Sequence, residues 1–451
     1  LIRPLSARFI QGGAHLTPAF GLKFVLEGVI TFLAMYYGEI HGSIVYDEVL
    51  HGGFGMYWGF KRRFELYGVP PQQYIMPPSL SESIENLVSV LNEGSGSVII
   101  AGPLGAGKTS LLSYLGYRVQ RNGVEVLSAQ AVGSLGYLTE QFVENIKNGR
   151  TFREFWKKTY GLYVPTSGGG RSLFSRLMKC MKFDSEKRGV KYVLAIDEFK
   201  PLLWARSDIR RTVIEHLAHV VNDRNGLGDR YANLMLTLIQ RPDQDSEQVF
   251  DQMLTISTRK TSVERSAFER RFREILSLFY NELDISIIAS SSILYAKGIN
   301  PDNVKENDFL DMLKPFSFEA LMHAARMSGR NPGFCMLLLD DALKEAEKQA
   351  SSPGLSPEKI EINEDTIDLI AKKRFEREGK RLTEEQVKFL QFLETPRRPD
   401  EVALQLNTLK IPREDVEVFI SDLQRRGLIE KTKDDLITTT MLWLKGSKYS
   451  G

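Results

Sequence analysis

Residues 97–110 read Ser-Val-Ile-Ile-Ala-Gly-Pro-Leu-Gly-Ala-Gly-Lys-Thr-Ser. Gly102 is followed by Pro103, Leu104, Gly105 and Ala106, then by Gly107-Lys108-Thr109-Ser110, a spacing that builds a loop around phosphate groups. Backbone N–H groups in such a loop converge on an anion, and the helix that follows adds the positive end of its dipole. Lys108 has the reach to meet β and γ oxygens, and the Thr109 hydroxyl is a ligand for Mg²⁺. Glycine is needed where the backbone approaches phosphate too closely for a Cβ. The predicted ligand is a nucleoside triphosphate.

A second chemical element lies downstream. Tyr192-Val-Leu-Ala-Ile-Asp197-Glu198 is an apolar run that ends in two carboxylates. A strand buried on both faces reads as such a run, and ligands gather at the carboxyl ends of parallel strands. Asp197 in that place can hold Mg²⁺, directly or through water. Glu198 can polarise an attacking water as general base. A solvated acidic turn is the plainer alternative.

These residues need a scaffold that brings two strand ends together. The sequence predicts strands at 97–101, 124–128, 191–196, 233–239 and 284–290, with helices near 109–121, 137–147, 170–187, 208–222 and 262–281. Alternation of this kind predicts an α/β fold with a parallel sheet covered on both faces. From Glu306 to Gln349 the pattern is helical with a turn near Gly329, and Ser351-Ser-Pro-Gly-Leu-Ser-Pro is a break. A further helix is predicted from Asn363 to Gly379, and a compact unit from Leu382 to Lys445.

With these motifs in place the chain resembles the AAA+ ATPases. Gly102 to Thr109 and Leu194 to Glu198 are similar to that family's Walker A and Walker B elements. The resemblance implies a P-loop NTPase core, a helical lid and ATP with Mg²⁺ as the ligands. It implies sensor 1 for the strand Asn233 to Gln240, with Gln240 as the polar tip. Ser266-Ala-Phe-Glu-Arg270-Arg271-Phe272 resembles the arginine-finger segment, with Arg271 the first choice and Arg270 the second. A finger serves the γ-phosphate of a neighbouring subunit, which implies a homo-oligomer or a paired AAA+ subunit. The competing reading pairs these arginines with Glu264, Glu269 and Glu274 on a surface helix. Ser328-Gly-Arg330-Asn-Pro332 resembles the sensor 2 turn of the origin-recognition and initiator-like branch. The family's arginine follows the glycine on the helix, whereas Arg330 precedes that place. Either Arg330 reaches the γ-phosphate or the sensor 2 charge is missing.

Three helices and a hairpin within 382–445 resemble a winged helix, a helix-turn-helix variant. A recognition helix needs donors on its first turns. This one offers Arg413 beside Glu414, Asp415 and Glu417, with Arg397, Arg398, Arg425, Arg426, Lys431 and Lys433 as phosphate contacts. DNA is the predicted partner, and protein docking is the alternative. A stretch from Arg150 to Gly170 interleaves bases with Phe155, Trp156, Tyr160 and Tyr163. It reads as an amphipathic helix that buries Phe152, Phe155 and Trp156 with its lysines solvated, and a nucleic-acid or partner loop is the alternative.

The net charge of +2 excludes a broad basic field, though not a local patch. The two cysteines, Cys180 and Cys335, sit in apolar helical patterns and predict free thiols in the cytoplasm. The apolar run 28–38 is too short to span a bilayer, so no stable membrane insertion is expected. Expected units are an N-terminal extension at 1–57, an ATPase core at 58–295, a lid at 296–380 and a winged helix at 381–451. Residues 1–55, rich in Gly, His and aromatics, are expected to be upstream translation or an extension, with Met56 as the biological start.

Overall fold

The computed structural model describes residues 58–64, 69–130, 138–142, 170–199, 217, 232–240, 272–352, 356–379, 382–412, 415–431 and 436–440. Its centre is a parallel sheet of β1 (Ser97–Gly102), β2 (Glu125–Gln130), β3 (Tyr192–Asp197), β4 (Ala232–Ile239) and β5 (Phe272–Ser277), in the order β2-β3-β4-β1-β5. Every residue of β1 and β3 is buried, as expected of strands covered on both faces. Register places β1 between β4 and β5, with Ile100 opposite Thr237 and Leu276. The chain is thus an α/β protein with a parallel sheet flanked by helices, the architecture of a P-loop NTPase core. Among the described residues no helix is long and apolar enough to cross a membrane.

Helix α1 (Ser81–Glu93) buries Ile84, Leu87, Val88 and Leu91, a stripe at helical spacing. It packs with α2 (Lys108–Gln120), whose Leu111, Leu115 and Val119 are completely buried, into one apolar cluster against β1. Helix α3 (Gly170–Arg188) precedes β3. These layers fix the ends of β1 and β3, where the phosphate loop and the acidic pair lie.

The fifth strand is displaced from its expected position. Residues 284–290 belong to helix α4 (Glu282–Ala296), and β5 occupies 272–277, inside the helix predicted for 262–281. The alternating isoleucines at 285 and 287 suggest a strand. The helix buries residues on every face, Ser286, Ser290 and Ser291 among them, so it lacks an amphipathic signature. Its entry is a capping box: the Asn281 side chain accepts from the Asp284 amide, and Asp284 accepts from the Asn281 amide.

A second apolar cluster joins α4, α5 (Phe309–Leu313), α6 (Phe318–Met327), α7 (Pro332–Ala350) and α8 (Glu364–Gly379). Phe60 and Phe64 lie in this cluster, and the Lys61 and Arg62 amides donate to the Ala296 carbonyl at 2.9 and 3.2 Å. Residues 69–76 pack against α2. The Val69 amide donates to Ser110 Oγ at 3.3 Å, and Tyr74 stacks on Tyr114 with ring centroids 4.6 Å apart.

Helices α9 (Glu384–Phe392), α10 (Pro399–Thr408) and α11 (Val416–Arg425) precede an antiparallel hairpin of β6 (Ile429–Lys431) and β7 (Ile437–Thr439). A backbone bridge between Arg397 and Ile437 ties the hairpin to the start of α10.

Candidate nucleotide site

The phosphate loop leaves β1 at Gly102 and enters α2 at Lys108, so the sequence itself places the loop at a helix N-terminus. Gly105 and Gly107 have φ of +83° and +80°, in the left-handed region. The backbone angle calls for glycine at Gly105, and a Cβ there would lie 2.7 Å from Asn331 Oδ1 and push that side chain aside. The Lys108 ammonium donates to the Gly102 carbonyl at 3.0 Å and to the Pro103 carbonyl at 2.6 Å. Burial pushes its pKa down to about 8, against the pull of Asp197 and Glu198 in the other direction. Ser110 is buried and turned toward Val69.

The acidic pair converges on the loop. Thr109 Oγ1 donates to Asp197 Oδ2 at 2.7 Å, joining the two chemical elements of the sequence in one place. Thr237 Oγ1 donates to Asp197 Oδ1 at 2.5 Å, and the Glu198 amide donates to both Asp197 Oδ1 and Thr237 Oγ1. Glu198 has φ +50°, uncommon for a residue with a side chain. Strain of this kind costs about 1–3 kcal/mol and persists only where neighbours hold it. The two acceptors on its amide do so, and the carboxylate is left exposed beyond the strand end. Sequence reasoning missed Thr237. The signal was present, since Asn233 and Thr237 are the polar interruptions of a buried apolar strand. Gln240, the expected polar tip, is buried just past β4, and its backbone N–H donates to the Gly102 carbonyl at 2.9 Å, continuing the β1–β4 pairing.

Oxygen donors of this hardness and number suit Mg²⁺, which takes one or two protein ligands and keeps its waters. Thr109 and Asp197 are the residues that would hold it. Among the described residues no group of three or more His, Cys, Asp or Glu forms another metal cluster. A cleft of about 440 Å³ runs from Thr109 and Asp197 along α2, past Ser113, Tyr117, Ser128 and Gln130.

The helical cluster reaches the loop through the turn before α7. Asn331 Oδ1 accepts from the Phe334 amide at 3.0 Å, capping α7, while its Nδ2 donates to the Leu104 carbonyl at 2.7 Å. The Gly333 amide donates to the Gly105 carbonyl at 3.0 Å, and the Tyr280 hydroxyl to the Ala106 carbonyl at 2.7 Å. Neither Tyr280 nor Asn331 was singled out by sequence reasoning. Asn331 lies in the turn whose sensor 2 resemblance implies closeness to the nucleotide, but nothing in the sequence names Leu104, more than 200 residues earlier, as its partner.

Arg330, at φ +56°, lies 4.0 Å from Glu282 Oε1 and 4.0 Å from Glu430 Oε2 on β6. Burial pushes the Glu430 carboxyl up to about 7; Arg330 opposes the shift and Glu282 adds to it. The raised value means the folded state holds this proton more tightly than the unfolded chain. Stability from this group is complete below its ordinary 4.5 and is lost as pH rises to about 7. Glu430→Gln is therefore expected to match the wild type at pH 4.5 and to exceed it by roughly 3 kcal/mol above pH 7.5. Denaturant unfolding of both proteins across pH 4.5–8.5 checks this; parallel curves would refute it.

Arg270 and Arg271 lie outside the described residues, as do Arg413, Lys433, the basic aromatic stretch from Arg150 through Gly169, and the N-terminal extension at 1–57 with Met56. Of the other phosphate-contact candidates, Arg426 pairs with Asp422 at 2.8 Å, and Arg397 lies over the Phe392 ring, 3.8 Å from Glu401.

No protein-family model matches the chain, and no curated protein matches its sequence. Among solved structures it is similar to the Walker-type ATPase paby2304 of Pyrococcus abyssi, at 14% identity and a TM-score of 0.49, covering 86% of this chain and 98% of that one. It is also similar to the Aeropyrum pernix ORC2 protein, at 13% identity and a TM-score of 0.44, with 86% and 98% covered. A third likeness is to the Thermotoga maritima RuvB Holliday junction branch migration motor, at 16% identity and a TM-score of 0.41, with 81% and 94% covered. At these identities and scores, function is read from the chain's own site.

Proposed function

We propose that this protein binds and hydrolyses ATP in the manner of an AAA+ ATPase and uses its nucleotide state to control a C-terminal winged helix. The observation that carries this reading is the 2.7 Å bond from Thr109 to Asp197, with Glu198 next in sequence and Lys108 beside it. Loop amides and Lys108 hold the phosphates, and Thr109 and Asp197 hold Mg²⁺. When bound, Mg²⁺ neutralises charge on the phosphate oxygens. Glu198 orients a water and takes its proton as the water oxygen bonds to the γ-phosphorus and the bond to the leaving ADP oxygen breaks. Arg271, with Arg270 as second choice, supplies charge from a neighbouring subunit, so the active species is an oligomer or a pair. The position of Arg330 between two glutamates supports the alternative in which the sensor 2 charge is missing.

The proposed units are a core at 58–295, a lid at 296–380 and a winged helix at 381–451. DNA is the proposed partner of the winged helix. A second reading, docking on protein, is favoured by Val418 of α11 and Leu404 of α10, which are 60% and 68% exposed. Fluorescence anisotropy with a DNA duplex, with and without MgATP across a salt series, separates them. DNA binding is expected to fall about tenfold or more between 50 and 200 mM salt and to depend on nucleotide. Absence of binding at the lowest salt rejects the DNA reading and leaves the protein-docking one.

A further inference from the structure

Six consecutive carbonyls of the loop, from Gly102 to Gly107, each accept a hydrogen bond. Gly102 receives the Gln240 amide and Lys108, and Pro103 receives the Ala106 amide and Lys108. Gly107 receives the Leu111 amide within α2. The three between them, Leu104, Gly105 and Ala106, are taken by Asn331 Nδ2, the Gly333 amide and the Tyr280 hydroxyl. All three donors lie outside the loop, on the helical side of the molecule.

A trans peptide directs its N–H opposite to its C=O, and the peptides of this loop are trans. Pinning the carbonyls of 104, 105 and 106 therefore turns the amides of Gly105, Ala106 and Gly107 to the opposite side. The Ala106 amide is taken by the Pro103 carbonyl, at 3.2 Å, so the Gly105 and Gly107 amides are the ones that this arrangement offers to an anion.

We propose that Tyr280, Asn331 and Gly333 form a carbonyl clamp that pre-sets the phosphate loop, acting as positioning residues that never touch the nucleotide. This rests on the nucleotide-binding reading above and deepens it. The coupling of lid to nucleotide then runs through the back of the loop rather than through an arginine on the γ-phosphate. Two glycines in the left-handed region make the free loop adaptable, and fixing it beforehand removes an ordering cost from binding. Asn331 serves both ends of the clamp, since one side-chain atom caps α7 and the other holds Leu104.

The test separates those two tasks. Asn331→Ser keeps a capping oxygen but cannot reach the Leu104 carbonyl, and Tyr280→Phe removes only a hydroxyl. Each variant, the pair combined and the wild type are titrated calorimetrically with MgATP and with magnesium tripolyphosphate. The combined variant is expected to bind both ligands about 10–30-fold more weakly, from two lost hydrogen bonds. Turnover at saturation should stay within about twofold, so the loss falls on KM and not on kcat. The melting point of the nucleotide-free protein should shift by no more than about 3 °C. Unchanged affinity for both ligands overturns the clamp, whatever the melting point does. If the combined variant melts early, Tyr280→Phe alone decides, with about fivefold weaker binding expected from one bond. Wild-type protein that binds neither ligand refutes the nucleotide reading itself, an outcome distinct from wild-type binding that the variants share.

Discussion

Exchange of Glu198 for glutamine is expected to leave ATP affinity within about threefold of the wild type and to lower turnover by about 10²–10⁴-fold. Glutamine has the same shape and still presents an oxygen to the water, but it cannot take the proton. The backbone that aims the side chain is held by bonds from the Glu198 amide to Asp197 and Thr237, and these survive the exchange. Binding should survive because the proposed phosphate contacts belong to the loop. Thr237→Val should reproduce part of the effect. It removes an acceptor for the amide of a residue at φ +50° and a donor to Asp197, so the carboxylate loses its aim without losing its charge. Steady-state phosphate release together with equilibrium binding of MgATP measures both. Turnover within about twofold of the wild type in Glu198→Gln would remove Glu198 from the role of base.

The difference between Glu198 and Thr237 shows what a sequence can and cannot convey. Both chemical elements of the site were legible because each is local: a glycine-rich loop between a strand and a helix, and an apolar strand ending in acid. Strands β1, β3 and β4 were legible because a strand buried on both faces is written as an apolar run, and β2 because Val126, Leu127 and Ala129 follow the turn at Gly123. The fifth was misplaced because a helix buried on every face, α4, writes the same kind of run. Its capping box, Asn281 to Asp284, is the local signal that would have separated the two. Thr237, Tyr280 and Asn331 act through contacts with residues 40 to more than 200 positions away. Nothing in their own neighbourhoods specifies those partners. Arg330 stands out in the sequence through a resemblance, and the structure places it between Glu282 and Glu430.

Lys108→Met is expected to separate function from stability in opposite directions. Lys108 is 8% exposed, and burial holds its pKa at about 8 against an ordinary 10.5. The depressed value means the folded state resists the charged form. Stability from this group is full above pH 10.5 and is lost as pH falls through about 8, so at pH 7 the folded protein carries the whole cost. That cost is roughly 3 kcal/mol. Methionine removes it while giving up the bonds to the Gly102 and Pro103 carbonyls, worth about 1 kcal/mol each. The nucleotide-free variant should therefore be as stable as the wild type or more stable by about 1 kcal/mol at pH 7. The same change should weaken MgATP binding by at least about 100-fold, because in the proposed site the buried ammonium is the group that would meet the β and γ oxygens. In thermal melts the wild type should rise with MgATP and the variant should not move, since a ligand stabilises only the state it binds. A variant that melts well below the wild type without nucleotide would show that Lys108 braces the loop. A variant that still rises with MgATP would show that the loop amides alone hold the phosphates. With neither seen, Lys108 is a charge held at a cost to folding, and that cost is retained because the site needs a cation where a triphosphate lies.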